Sequence, residues 1–288
     1  MKAESPTNVV TQSAYASWRT IRRSPVMGIG IGIAAIILLI ASLSPWLTLN
    51  DPLLIQMSQR LRAPSLEYPL GTDHMGRCII SRLVAGTRQT VGLSFCASAV
   101  VILIGVPLGL LAGYAKGYLD ALLMRLADAA GALPEFLLAI AVAGFLGPGL
   151  VNTLFAIACV KWIGYARLVR GITLSECKKD YIHASIVAGS GGWRIIRRHL
   201  LRQVASPLAI MAAADVGKTI LLISALSYLG LGAQPPSPEW GAMLSDGRPY
   251  FQIAPEQMIY PGLCILIVVL ACNLISDGLR DLMDVRSR

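Results

Sequence analysis

Long apolar runs alternate with short polar joints along this chain. Runs near 26–48, 90–113, 128–147, 151–170, 206–230 and 259–276 each approach the roughly 20 apolar residues that a helix needs to cross a bilayer. They are apolar throughout and do not alternate, which selects helices over the strands of a membrane barrel. The pattern predicts an all-α membrane protein with six transmembrane helices. The first run follows Arg19, Arg22 and Arg23, as the core of a secretory signal would. It exceeds the roughly 7–15 residues of such a core and five more runs follow, so it reads as a retained first helix.

Three joints carry pattern of their own. The loop 49–89 contains GTDHMGRCIISRLVAGTR (71–88), where Thr72 or Asp73 is placed to cap a short loop helix. Met75, Ile79, Ile80 and Leu83 would line its apolar side, with Arg77, Ser81, Arg82 and Arg88 on the polar one. In the loop 171–205, Ala184, Val187 and Ala188 form a small apolar face. Gly189, Gly191 and Gly192 then break the helix before a basic segment resumes it from Arg194 to Arg202. The stretch LSYLGLGAQPPSPEWGAM (226–243) ends an apolar helix in a Gly- and Pro-rich turn that is too irregular to face lipid.

Composition narrows the class. Hydrophobic residues at 55% and charged residues at 14% exclude a soluble domain of this length. Of the 25 Lys and Arg, 17 fall in the N-tail (1–25), the joint after the second run, the stretch from Arg167 to Arg202, and the C-tail (277–288). Only 6 fall on the opposite side, so both termini are expected to be cytoplasmic and the 49–89 loop external. Topology and anionic membrane lipid account for the net charge of +9, and no nucleic-acid partner is implied. The six cysteines form no C-x-x-C pair and read as small buried hydrophobes.

Ionisable residues inside the runs are the candidate pathway. Asp215 and Lys218 lie three apart in the fifth run and are placed to pair; Gln234, Glu239 and Trp240 extend the set into the turn. Lys161 sits near a run's end, where it reads as a snorkelling anchor. Asp128 and Glu135 are further candidates, and Pro134 reads as a kink. Gly217, Lys218 and Thr219 imitate the end of a phosphate loop, but residue 212 is Ala and the segment is a span, so no nucleotide or other cofactor is expected. The three histidines, His74, His183 and His199, all lie outside the runs, which excludes an H-E-x-x-H zinc protease. A secondary transporter would need an internal repeat, and none is found.

Three motifs in order carry a resemblance: GTDHMGR with SRLVAGTR, LSYLGLGAQPPSPEWGAML, and NLISDGLRDLMD (273–284). From about Arg22 to Asp284 the chain resembles the inner-membrane permease subunit of a bacterial ABC importer of the dipeptide, oligopeptide and nickel family. The resemblance implies an EAA-type coupling helix at His183, Ala184, Ser185 and Gly189 that docks on an ATP-binding subunit. It also implies an external motif at Gly71, Thr72, Asp73, Gly76 and Arg77. The partners implied are a second permease subunit, two ATP-binding subunits that hydrolyse the ATP, and an extracytoplasmic substrate-binding protein. The chain departs from the family at His183 (usually Glu), Ser185 (usually Ala), Arg202 (commonly Pro) and Cys78 (often an acid). GTDH, KWIGYARLVR and DVGKTILLISALS resemble permeases for nickel or metal chelates, while the Pro-rich turn is shared with peptide permeases. Nickel is the leading expectation and peptide the alternative. His74 and Cys78, at helical i, i+4 spacing, are the candidate metal ligands, beside Met75.

Overall fold

Within lipid a backbone can satisfy its N–H and C=O groups only inside its own segment, and the apolar runs accordingly fold as helices. A computed structural model describes residues 25–284, among which there is no strand. The expectations for residues 1–24 and for the last four residues lie outside the described part. Among the described residues nine helices carry the fold: α1 (Pro25–Leu47), α2 (Ile79–Ala115), α3 (Gly117–Gly131), α4 (Glu135–Leu146), α5 (Leu150–Glu176), α6 (Asp180–Val187), α7 (Gly192–Tyr228), α8 (Trp240–Gly247) and α9 (Glu256–Asp284).

Four of these, α1, α2, α7 and α9, are long and apolar enough to cross a membrane alone. The third expected span, 128–147, covers only the end of α3 and the whole of α4; these two helices pass that test only together and meet at 92°. Pro134 sits at the break, where it denies the helix a donor and pushes the residue before it away from helical geometry. The fourth expected span, α5, has 27 residues but holds Lys161, Arg167 and Arg170, and it is not among the helices apolar enough by themselves.

The expected loop helix after Thr72 is not a separate element. Residue 79 begins α2, which then runs for 37 residues, and its N-cap, Cys78, contributes no side-chain bond. Arg77, Ser81 and Arg82, expected on a polar outer side, are instead buried. Asp73 of the preceding turn and Asp246 from far along the chain meet the two arginines, so the helix need not turn them to water.

The tightest packing joins α2 to α5. Gly105, Gly109 and Gly113 recur every fourth residue on one face of α2. A Cβ at these positions would lie 2.7 Å from Tyr165 Cβ, 2.6 Å from Ala166 O and 2.6 Å from Thr173 Cβ. Small residues at this spacing let two membrane helices approach to backbone contact. At one end of the bundle Ile182 and Ile195 pack on Val106, Leu110 and Val169; at the other, Trp240 and Met243 pack on Ile79 and Leu83.

Candidate functional site

The GTDHMGR motif folds as a tight turn closed by charge. Asp73 Oδ1 accepts hydrogen bonds from the backbone N–H of Met75 and Arg77, at 2.8 and 2.9 Å. Its Oδ2 meets Arg77 Nε at 2.6 Å and an Arg82 guanidinium nitrogen at 2.5 Å. Both arginines also reach Asp246 of α8, at 3.2 and 3.3 Å. Two cations and two anions thus neutralise one another where the start of α2 meets α8. Thr72 serves the same turn, its hydroxyl donating to Gln59 O and accepting from Arg62 N. Gly71 and Gly76 hold the left-handed backbone it requires, with φ of 77° and 75°.

Burial alone would raise the Asp73 carboxyl, but Arg82 and Arg77 outweigh it and hold the group below its ordinary value. The stabilisation is therefore complete above the ordinary value of about 4 and is lost as pH falls through the lower folded-state value. Thermal melting of the purified protein is expected to be flat from about pH 7 to about pH 5 and to fall below about pH 4. Asp73→Asn should melt lower at neutral pH and lose part of that acid dependence.

Glu239 and Trp240 belong to this scaffold. Glu239 is wholly buried and caps α8, accepting from Ala242 N at 2.9 Å and from the Thr90 hydroxyl at 3.3 Å. Trp240 donates its indole N–H to Leu83 O at 3.1 Å. Gln234 lies exposed on the turn, its amide donating to Gly230 O and Gly232 O. His74 stacks on Tyr250 with ring centres 5.0 Å apart, and Cys78 is buried. Residues 74–78 form a turn and not a helix, so the i, i+4 spacing expected of His74 and Cys78 does not apply. Among the described residues no three or more His, Cys, Asp or Glu are grouped to hold a metal ion.

Deep between α5 and α7 lies a second charged cluster. Lys161 Nζ is 2.5 Å from Asp215 Oδ1, and Tyr165 donates its hydroxyl to Asp215 Oδ2 at 3.1 Å. The Lys161 side chain is only 3% exposed, so it is no snorkelling anchor. Nor is Lys218 the partner of Asp215: three residues are about 60° out of register on a 3.6-residue turn, and Asp215 faces α5 while Lys218 is exposed. Lys161 and Tyr165, one helical turn apart on α5, formed a signal for this pairing that sequence reasoning missed. Lys161, Tyr165, Asp215, Lys218 and Glu135 line a cavity of about 310 Å³, together with Ala130, Gly131 and Leu133 beside the break between α3 and α4. Glu135 Oε1 stands 3.8 Å from Lys161 Nζ. Asp128, the remaining candidate of that span, instead pairs with Arg167 at 2.8 Å.

At the end of the bundle opposite α8, α6 projects from the joint between α5 and α7. Glu176 braces its start, holding Lys179 Nζ and the Tyr181 hydroxyl, each at 2.6 Å. Ile182 roots it in the bundle. His183, Ala184 and Gly189 are exposed, Ser185 is half-buried, and Val187 is 89% exposed. Gly189, with φ of 79°, turns the chain toward α7.

Residues 105–288 match the family described as "Binding-protein-dependent transport system inner membrane component". The chain belongs to this family. The permease is 39% identical to the dipeptide transport system permease protein DppC of Alkalihalophilus pseudofirmus over 280 residues, covering 96% of this chain and 92% of the relative. It is also 39% identical to the nickel transport system permease protein NikC of Escherichia coli K12 over 252 residues, with 88% and 91% covered. With the glutathione transport system permease protein GsiD of Pectobacterium atrosepticum it shares 43% over 221 residues, 77% and 73% of the two chains. Among solved structures, a chain of the MetNI methionine ABC transporter in an inward-facing form superposes with a TM-score of 0.56 at 18% identity. That superposition covers 71% of the permease and 97% of the MetNI chain and shows a shared fold. The permease is thus a membrane subunit of an ABC importer, as the three motifs implied.

Proposed function

We propose that the permease forms, with a second permease subunit, the path for a solute handed over by an extracytoplasmic binding protein. Two ATP-binding subunits supply the work, and α6 is the helix that docks on one of them, with both chain termini on that cytoplasmic side. The observation that carries the reading is the exposed tip of α6, with apolar Ile186 and Val187 turned outward beside Ala184 and Gly189. A short helix with few bulky side chains fits a partner's groove because the backbones can come close. His183, where the family usually has Glu, stands exposed beside this face and adds no bulk to Ala184.

Of the pathway candidates, Asp215 and Lys218 line the intramembrane cavity, and there we place the path. Glu239 and Trp240 hold the scaffold that shapes its far end. The relatives' names span dipeptide, nickel and glutathione, and a cavity wall that sets two lysines beside two carboxylates, Asp215 and Glu135, suits an organic solute that carries both charges. Nickel carried inside an organic chelate is compatible with the same wall.

Uptake of labelled dialanine and of labelled nickel ion, in cells with and without the gene, tests the reading. Loss of either on deletion is expected, and uptake of both unchanged would remove it. Gly189→Cys should crosslink to a cysteine on an ATP-binding subunit in at least one nucleotide state; no crosslink in any state would remove α6 from the coupling role.

A further inference from the structure

Lys218 poses the question. It is an exposed cation within an apolar 37-residue helix, and none of the described residues forms an ion pair with it. A charge at this depth is costly unless it faces a partner or a water-filled cavity. The nearest carboxylate in sequence, Asp215, is already held by Lys161 and Tyr165. The other carboxylate of the cavity, Glu135, stands toward Lys161 and is 58% exposed. Lys161 therefore has two acids while Lys218 has none.

The cavity lies where the third span breaks, with Gly131, Leu133 and Glu135 in its wall. Broken helices within a membrane are tolerated where they border a cavity, and such breaks are where transporters hold polar solutes. A volume of about 310 Å³ falls at the small end of ligand pockets, and Val160, Ile163 and Met211 supply apolar wall.

We propose that this cavity is a way-station for the transported solute, in which Lys218 takes a free carboxylate of the solute and Glu135 faces its cationic end. The Lys161–Asp215–Tyr165 group fixes the wall and does not exchange partners. The ligand class is a small carboxylate-bearing solute, whether a short peptide or an organic chelate. The proposal rests on the reading above that α3 to α5 and α7 border the path.

The test uses the assembled importer in lipid nanodiscs with saturating binding protein. In the chain with native cysteines, Lys218→Gln is expected to lower ATP-driven uptake of labelled dialanine about tenfold or more, the worth of one hydrogen bond to a charged group. Lys218→Arg should retain most of it, and both variants should be recovered with their partner subunits in wild-type yield. In a second variant the six native cysteines are replaced and Lys218→Cys is added. Treatment with 2-aminoethyl methanethiosulfonate, which restores a cation, should restore uptake; methyl methanethiosulfonate should not. Millimolar dialanine should slow the modification. Unchanged uptake in Lys218→Gln overturns the proposal. So does modification that is slow whether or not dialanine is present, which assigns the carboxylate to the second permease. Wild-type transport confined to chelator-free nickel ion also overturns it. Uptake that ignores the whole chain defeats the underlying reading, whereas uptake that needs the chain but ignores Lys218 defeats only the carboxylate site.

Discussion

Asp215→Ala is expected to destabilise the permease by about 3–5 kcal/mol, because it leaves Lys161 buried with no close counter-charge. Glu135, at 3.8 Å and largely exposed, is too distant and too well solvated to replace a contact of 2.5 Å. The purified importer should melt well below the wild type, or the subunit should fail to assemble. Two companions separate charge burial from general damage. Lys161→Met with Asp215→Leu removes both charges and should recover most of the loss, since a buried pair replaced by apolar residues of similar size is often neutral. Tyr165→Phe removes one hydrogen bond and should cost only about 1 kcal/mol. A melting curve for Asp215→Ala that overlays the wild type would show that the pair is hydrated and not buried as described.

Replacing Gly105, Gly109 and Gly113 together by Ala is expected to separate α2 from α5 and abolish assembly. Overpacking costs about 1–3 kcal/mol per site, against about 1 kcal/mol per site regained from the better helix propensity of Ala. Each new Cβ would stand within 2.8 Å of a Cβ or backbone oxygen of α5, where no flexible side chain can give way. Gly144→Ala in α4 is the matched control, because nothing lies within 4 Å of its Cβ position. Gel filtration of the solubilised importer reads the difference; assembly at wild-type level by the triple variant would mean that the two helices are not in backbone contact.

Much of the fold was legible because lipid imposes one rule on every span, and a run of apolar residues is sufficient evidence of a helix. The failures share a cause. Lys161, Arg77 and Arg82 each read as facing water because a single charge is costly to bury, and all three are buried because the fold brings counter-charges to them, in part from distant sequence. Arg77 and Arg82 meet Asp246, more than 160 residues away, and Lys161 meets Asp215 on another helix. Asp73 stands in the same motif as the two arginines, but no short window along the chain joins either of them to Asp246, or Lys161 to Asp215. The break at Pro134 was readable as a kink from proline chemistry, but its 92° angle depends on what α3 and α4 pack against. The turn at 226–243 identified itself by composition, yet composition did not distinguish Glu239 as a buried cap from Glu239 as a pathway acid.

α7 runs on as one helix past a π turn at Ile196–Leu200 and past Pro207, and its length has a consequence for motion. Its 37 residues rise roughly 55 Å at about 1.5 Å each, so a tilt of about 5° about its Gly192 end displaces the Tyr228 end by about 5 Å and Lys218 by about 3 Å. Three ångströms exceeds the range over which a hydrogen bond survives. An angular change too small to repack the neighbouring helices therefore suffices to make or break a contact at Lys218, and the same swing is multiplied with distance along the rod.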